Sequence, residues 1–318
     1  MKKASMRKKA AILKIFTGIV LILSMGLFML TGCSINTTSD NNKLNVVATT
    51  TMLTDLVKQI GGEKINVSGL MGTGIDPHSY KPTAGDVTKL QTADIAVVNG
   101  LHLEGKMTDV FDDLKKIDKI VVNLEEQIDK SKFYQEEEGV YDPHIWFDVS
   151  IWKEAAKAVE KALSDNDEEN SSTYKSNLEE YLKQLDELEE YIIEKVNSLP
   201  EESRVLVTAH DAFGYFARAY GFEVKGIQGI NTQAEAGTAD VDNLAQFIAD
   251  NKIKAIFVES SVSPKTIESL EAAVKAKGFE TSIGGELYSD SLGDETSDTE
   301  TYIKTFKKNI DTIINALK

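Results

Sequence analysis

Cysteine is nearly absent from this 318-residue sequence, histidine is scarce, and positive charge is in deficit. With Cys33 alone, no intramolecular disulfide and no thiolate-built metal site can form, so stability must come from packed cores. No Walker-type glycine-rich loop is present, which excludes nucleotide hydrolysis through that device. The 35 basic residues face 51 acidic ones, for a formal net charge of −16. Such a surface repels nucleic acid and suits solubility outside a cell.

The first 32 residues read as a segment outside the fold. Lys2, Lys3, Arg7, Lys8, Lys9 and Lys14 form a basic leader, followed by an uncharged apolar run over 15–32. That run approaches the ~20 residues of a transmembrane helix. It ends, however, in Leu30-Thr31-Gly32-Cys33, which resembles the lipobox of bacterial lipoproteins. The resemblance implies cleavage before Cys33, lipidation of its thiol and a polar tether over 33–43. Loss of the leader's six positive charges would take the net charge to −22.

The remaining 286 residues are ample for two domains. In the first half, β-rich runs at 44–49, 65–71, 94–99 and 119–122 alternate with helical patterns near 52–60, 85–93 and 105–116. In the second, runs at 204–208, 223–227, 254–258 and 281–283 alternate with helices beginning near Asp211, Ala239, Pro264 and Thr299. This pattern predicts an α/β fold of two lobes, each with a mostly parallel four-stranded sheet. Between them, Leu178, Tyr181, Leu182, Leu185, Leu188, Ile192, Val196 and Leu199 recur every three or four residues. A helix over 171–199 would be about 43 Å long, capped by Ser171 or Ser172 and closed by Pro200. An intramolecular backbone helix is expected rather than a coiled-coil dimer, because apolar lobes are available to cover its seam. The expected organisation is leader 1–32, tether 33–43, first lobe 44–166, linking helix 167–200 and second lobe 201–318.

Three of the four histidines sit beside an aspartate: Asp76-Pro77-His78, Asp142-Pro143-His144 and His210-Asp211. Neutral imidazole is the commonest zinc ligand, and a neighbouring carboxylate is its usual partner. Pro77 and Pro143 stiffen the approach to their histidines. In open α/β sheets ligands bind beyond the carboxyl ends of strands, where His78, His210 and Asp290 are placed. Two candidates come from each half, which puts a metal in the cleft between lobes. Three nitrogens and one carboxylate suit tetrahedral zinc; a bidentate carboxylate makes five donors, easier for manganese. Asp142, Asp211 and Glu259 are candidates to orient the ligands. His102 lacks the neighbouring aspartate and is read as a near-site or structural residue.

The segments Asp76-Pro77-His78-Ser79-Tyr80, Asp142-Pro143-His144-Ile145-Trp146, His210-Asp211-Ala212-Phe213-Gly214-Tyr215-Phe216, Gly226-Ile227-Gln228-Gly229-Ile230 and Leu287-Tyr288-Ser289-Asp290-Ser291-Leu292-Gly293 together resemble one family. It is the zinc- and manganese-binding receptors of bacterial ABC importers, the cluster A-I solute-binding proteins. The resemblance spans about 44–318 and implies His78, His144, His210 and Asp290 as ligands of one divalent ion, carried as cargo. It also implies two α/β lobes bridged by a long helix. Some members have glutamate at the position of His210, a set associated with manganese, whereas this chain has histidine. Many zinc receptors carry a histidine-rich acidic insertion, but the stretch 129–141 here holds Glu136, Glu137 and Glu138 and no histidine.

The expected function is therefore capture of Zn2+ or Mn2+ at the extracytoplasmic face of a bacterial membrane and delivery to an importer permease with a separate ATPase. The receptor itself would be a monomer anchored through Cys33, and not an enzyme. A zinc-dependent hydrolase is the rival from another class, with Glu259 as a possible base, and it would need an open coordination position. A surface adhesin is a third reading without specific sequence support.

Overall fold

A computed structural model describes residues 43–318 apart from Glu138 and Glu235. The leader, Cys33 and the tether as far as Asn42 lie outside the described residues. The first lobe is built on β1 (Leu44–Ala48), β2 (Ile65–Gly69), β3 (Ile95–Val98) and β4 (Ile120–Asn123), all parallel in the order β2-β1-β3-β4. Alternation along the strands sorts their side chains between two layers. Val46, Ala48, Ile95 and Val97 face the main core. Val47 and Ala96 face a second one with Leu90 and Leu114, from α2 (Ala84–Thr92) and α3 (Thr108–Lys116). Helix α1 (Thr51–Gly61) lies on the main-core side, its Leu53, Leu56, Val57 and Ile60 buried.

After β4 come a short helix α4 (Leu124–Gln127) and an antiparallel hairpin of β5 (Gln135–Glu137) and β6 (Val140–Tyr141). Neither has the apolar periodicity that betrays the longer elements. Helix α5 (Val149–Asn166) then starts at Asp148, whose Oδ1 accepts the N–H groups of Ser150 and Ile151 at 2.8 and 3.4 Å.

The long helix α6 runs over Ser171–Asn197, 27 residues. Its Tyr181, Leu185, Leu188, Ile192 and Val196 are buried within the same chain, where α6 packs on α1, α5 and the last helix, α10 (Tyr302–Leu317). Its start differs from the sequence expectation. Ser171 and Ser172 lie inside the helix, because a preceding 3-10 turn over Glu168–Asn170 is capped by Asp167, which accepts the N–H of Asn170.

In the second lobe β7 (Val205–His210) pairs in parallel with β8 (Glu223–Gln228), and β9 (Ala255–Glu259) with β10 (Ser282–Leu287). The two pairs meet where β7 packs beside β9. Leu206, Ala255 and Phe257 turn into the main core, against α10. Val207, Ala209 and Ile256 turn into a separate core with α8 (Thr238–Asn251) and α9 (Lys265–Ala276). Helix α7 (Gly214–Tyr220) begins three residues later than the expected start near Asp211. The intervening N–H groups are engaged elsewhere: Asp211 donates to Gln228 and Ala212 to the carbonyl of His210.

Candidate metal centre

The repeated Asp-Pro-His phrase is a turn with its own hydrogen bond. In each copy the aspartate Oδ1 accepts the N–H of the histidine two residues on, at 2.9 Å for Asp76 and His78 and 2.9 Å for Asp142 and His144. The proline between them has no N–H to compete. The two copies then diverge. Asp142 Oδ1 also meets His144 Nδ1 at 2.7 Å, whereas the second oxygen of Asp76 accepts from Thr232 Oγ1 at 2.7 Å. The Pro143 carbonyl accepts from Asn99 Nδ2 at 3.0 Å, and the Asp142 carbonyl from the Tyr215 hydroxyl at 2.9 Å. Trp146 lies edge-on to the His144 ring, with centroids 5.3 Å apart.

His210 ends β7 and Glu259 ends the adjacent β9. One Glu259 oxygen accepts the His210 backbone N–H at 2.9 Å, and the other lies 2.6 Å from Nδ1. Asp211, beside His210 in sequence, is half-buried, and Glu259 rather than Asp211 meets that ring nitrogen. Gly226 on β8 is required by this packing. A Cβ there would stand 2.5 Å from Asp211 N and 2.7 Å from the His210 carbonyl carbon.

These supports aim three Nε2 atoms at one point. His144 Nε2 lies 3.3 Å from that of His78 and 3.4 Å from that of His210. Asp290 follows β10 and turns Oδ1 to His144 at 3.4 Å and Oδ2 to His210 at 3.3 Å and His78 at 3.7 Å. His78, His144, His210 and Asp290 each offer a ligand atom within 4.8 Å of every other. All four are buried, at 1% exposure or less. A tetrahedral ion with donors at about 2.0–2.1 Å separates those donors by about 3.3–3.4 Å, so the spacing is that of a metal's ligands. Neither Asp290 oxygen has a hydrogen-bond partner, an arrangement that a bound cation completes.

Charge in the cluster is set by burial and by which carboxylate each ring meets. Burial opposes charge on all three rings. At His78 burial prevails and lowers the pKa to about 4. At His144 the Asp142 and Asp290 carboxylates outweigh burial and raise it to about 9. At His210, Glu259 and Asp290 outweigh burial and raise it well above its usual value. Asp290 is held well below the carboxylate range because His210 and His144 overcome its burial. Without metal, the carboxylates beside His144 and His210 thus favour a proton on both rings.

His102 stands apart from this cluster, exposed on a loop with φ 63°. Sequence reading also missed Thr232 and Gln233. Gln233 Nε2 donates to the His78 carbonyl at 2.8 Å, so residues 232 and 233 strap the His78 turn. An unremarkable polar loop gives no sequence signal for that contact. Glu259 is held against His210 through both oxygens, one accepting the backbone N–H and the other in ion-pair contact with Nδ1, so it is not a free base, and the four donors enclose the site. Both points weigh against hydrolysis.

A fold of two α/β lobes enclosing a carboxylate–imidazole cluster is that of a metal-binding receptor. The chain belongs to the family described as zinc-uptake complex component A, periplasmic (ZnuA), which it matches over residues 46–316. It is 48% identical over 272 residues to the zinc-binding protein TroA of Treponema pallidum, covering 86% of this chain and 88% of the relative. It is 41% identical over 304 residues to the manganese-binding lipoprotein MntA of Bacillus subtilis, covering 95% and 99%. The solved structure of Treponema pallidum TroA superposes with a TM-score of 0.85 over 86% of this chain and 99% of that one.

Proposed function

We propose that this protein is the extracytoplasmic receptor of a metal importer. It captures one Zn2+ or Mn2+ between its lobes and delivers the ion to an ABC permease served by a separate ATPase. The observation that carries this reading is the convergence of three imidazole Nε2 atoms and both oxygens of Asp290 in a water-excluded site. His78, His144, His210 and Asp290 are the proposed ligands, with Asp142 and Glu259 holding two rings by Nδ1 so that Nε2 faces the ion. Zinc would use four donors; manganese would use five, with Asp290 bidentate. The names of TroA and MntA, one zinc-binding and one manganese-binding, support that pair of cargoes.

The finer parts of the reading are a lipid anchor on Cys33, a monomeric receptor and the lobe boundaries 44–166, 167–200 and 201–318. They are supported by the lipobox-like Leu30–Cys33 phrase, the lipoprotein name of MntA and the internal packing of α6. Elemental analysis of protein purified without added metal, repeated under zinc–manganese competition, tests the cargo. Absence of both metals, with no binding on titration, would sink the receptor reading. Detergent phase partition of wild type and Cys33→Ser tests the anchor.

A further inference from the structure

Asp290 belongs to the second half of the sequence, but the residues around it are fastened to the first. Tyr288, the residue after β10, is still held by its own half, through both its N–H and its carbonyl to the Asn309 side chain of α10. Beyond it the partners change. The Ser289 carbonyl accepts from Trp146 Nε1 at 2.9 Å, although its hydroxyl keeps a 3.1 Å contact with Ser261. The Gly74 N–H donates to Ser291 Oγ at 2.9 Å, the Leu292 N–H to Thr51 Oγ1 at 2.8 Å, and Thr73 Oγ1 to the Gly293 carbonyl at 3.1 Å. Leu292 is buried in the main core that α1 and α5 share. His210, by contrast, takes its support from β7 and from Glu259 of β9.

We propose that Thr51, Thr73, Gly74 and Trp146 of the first lobe are positioning residues for Asp290, fixing its carboxylate toward the ion from the lobe that also carries His78 and His144. The physical case is the pattern of bonds. Ser289, Ser291, Leu292 and Gly293 each meet a first-lobe group, so the Asp290 backbone between them cannot shift without breaking several. Because Asp290 has no side-chain hydrogen bond of its own, its aim depends on that backbone. The inference rests on the receptor reading above and deepens it.

A double-mutant cycle tests the idea, because residues acting through Asp290 must lose their effect when its carboxylate is gone. Zinc affinity is measured by chelator competition on the full chain for Thr51→Val with Thr73→Val, with and without Asp290→Ala. The expected result is a loss of about tenfold in the presence of Asp290 and none in its absence, with the metal-free melting temperature little changed. Thr51→Ser, which keeps the acceptor, restores affinity. Equal losses in both backgrounds, or no loss with Asp290 present, overturn the inference while the receptor reading stands. Wild-type affinity in Asp290→Ala alone removes Asp290 from the site and overturns the inference, whereas the receptor reading falls only if the wild type binds neither metal. If the paired variant does not fold, Thr73→Val, at an exposed position, runs the same cycle by itself.

Discussion

His210 Nδ1 and Glu259 Oε2 lie 2.6 Å apart with both side chains fully excluded from solvent, and the other Glu259 oxygen holds the His210 N–H. Of the four proposed ligands, His210 is the one that ends a strand, and this pair is placed to orient it. A carboxylate presents an acceptor oxygen to both the backbone N–H and the ring nitrogen; an amide presents one and puts a donor where the ring needs an acceptor. Glu259→Gln is therefore expected to weaken zinc binding by roughly 10- to 100-fold. Unchanged affinity in chelator competition would mean that Glu259 does not orient the ligand.

Protons should compete with metal for the cluster well above the usual histidine range. Sequence alone suggests competition below about pH 6.5. Because the Asp142 and Asp290 carboxylates raise His144 to about 9 and Glu259 and Asp290 raise His210 well above its usual value, affinity should keep rising between pH 7 and 9. His78, lowered to about 4 by burial, is already neutral at pH 7. Binding at pH 7 should thus release about two protons per ion, measurable by calorimetry in buffers of different ionisation enthalpy. Release of none would contradict the charged-ring picture.

Stability of the metal-free protein follows from the same shifts. A raised histidine pKa gives stabilisation that is complete below the unfolded value near 6.5 and is lost as pH rises through the folded value. His144 places that loss between about 6.5 and about 9, and His210, also raised, adds a loss of the same sign. A lowered pKa acts oppositely, so the contribution of His78 fades as pH falls from 6.5 toward about 4. The melting temperature without metal should peak near pH 6.5 and fall on both sides. Zinc should remove the alkaline fall, and identical profiles with and without zinc would count against the assignment.

Ligand removal should separate the three histidines. Loss of one of four donors is expected to weaken zinc binding by more than about a hundredfold in each alanine variant. The sequence suggests loop ligands outside any core, but all three rings are buried. His144→Ala strands the Asp142 carboxylate and His210→Ala strands Glu259, so both should also lower the metal-free melting temperature. Asp142→Asn and Glu259→Gln should restore those two. His78→Ala, whose ring meets Asp290 but has no dedicated carboxylate of its own, should leave melting nearly unchanged. Thermal scans of the set check the order.

Asp290→Ala is expected to retain weakened zinc binding and to lose manganese almost completely. Three neutral imidazoles leave the ion its full +2 charge, and manganese depends more on oxygen donors. Both Asp290 oxygens face histidine nitrogens at 3.3–3.7 Å, in place to act as a bidentate ligand. Parallel calorimetry with the two metals decides the matter; equal fractional losses would refute a selectivity role.

The sequence by itself determined the α/β alternation, the long helix and the proposed ligand set. Hydrophobic periodicity is a local record of which faces must be buried, and Asp-Pro-His is a local turn whose aspartate holds the histidine N–H. The hairpin of β5 and β6 and the capping of the α6 region by Asp167 left weaker traces, because few residues and no periodic core face define them. Only tertiary structure decided what each acid does. Asp76 and Asp142 stand in the same phrase, yet one braces Thr232 across the cleft and the other holds a histidine ring. Asp211 adjoins His210 in the chain, but the strand order brings Glu259 to its ring instead. Hydrogen bonds and charge act over a few ångströms of space, and neighbours at that range are set by how strands pack and lobes meet, not by adjacency along the chain.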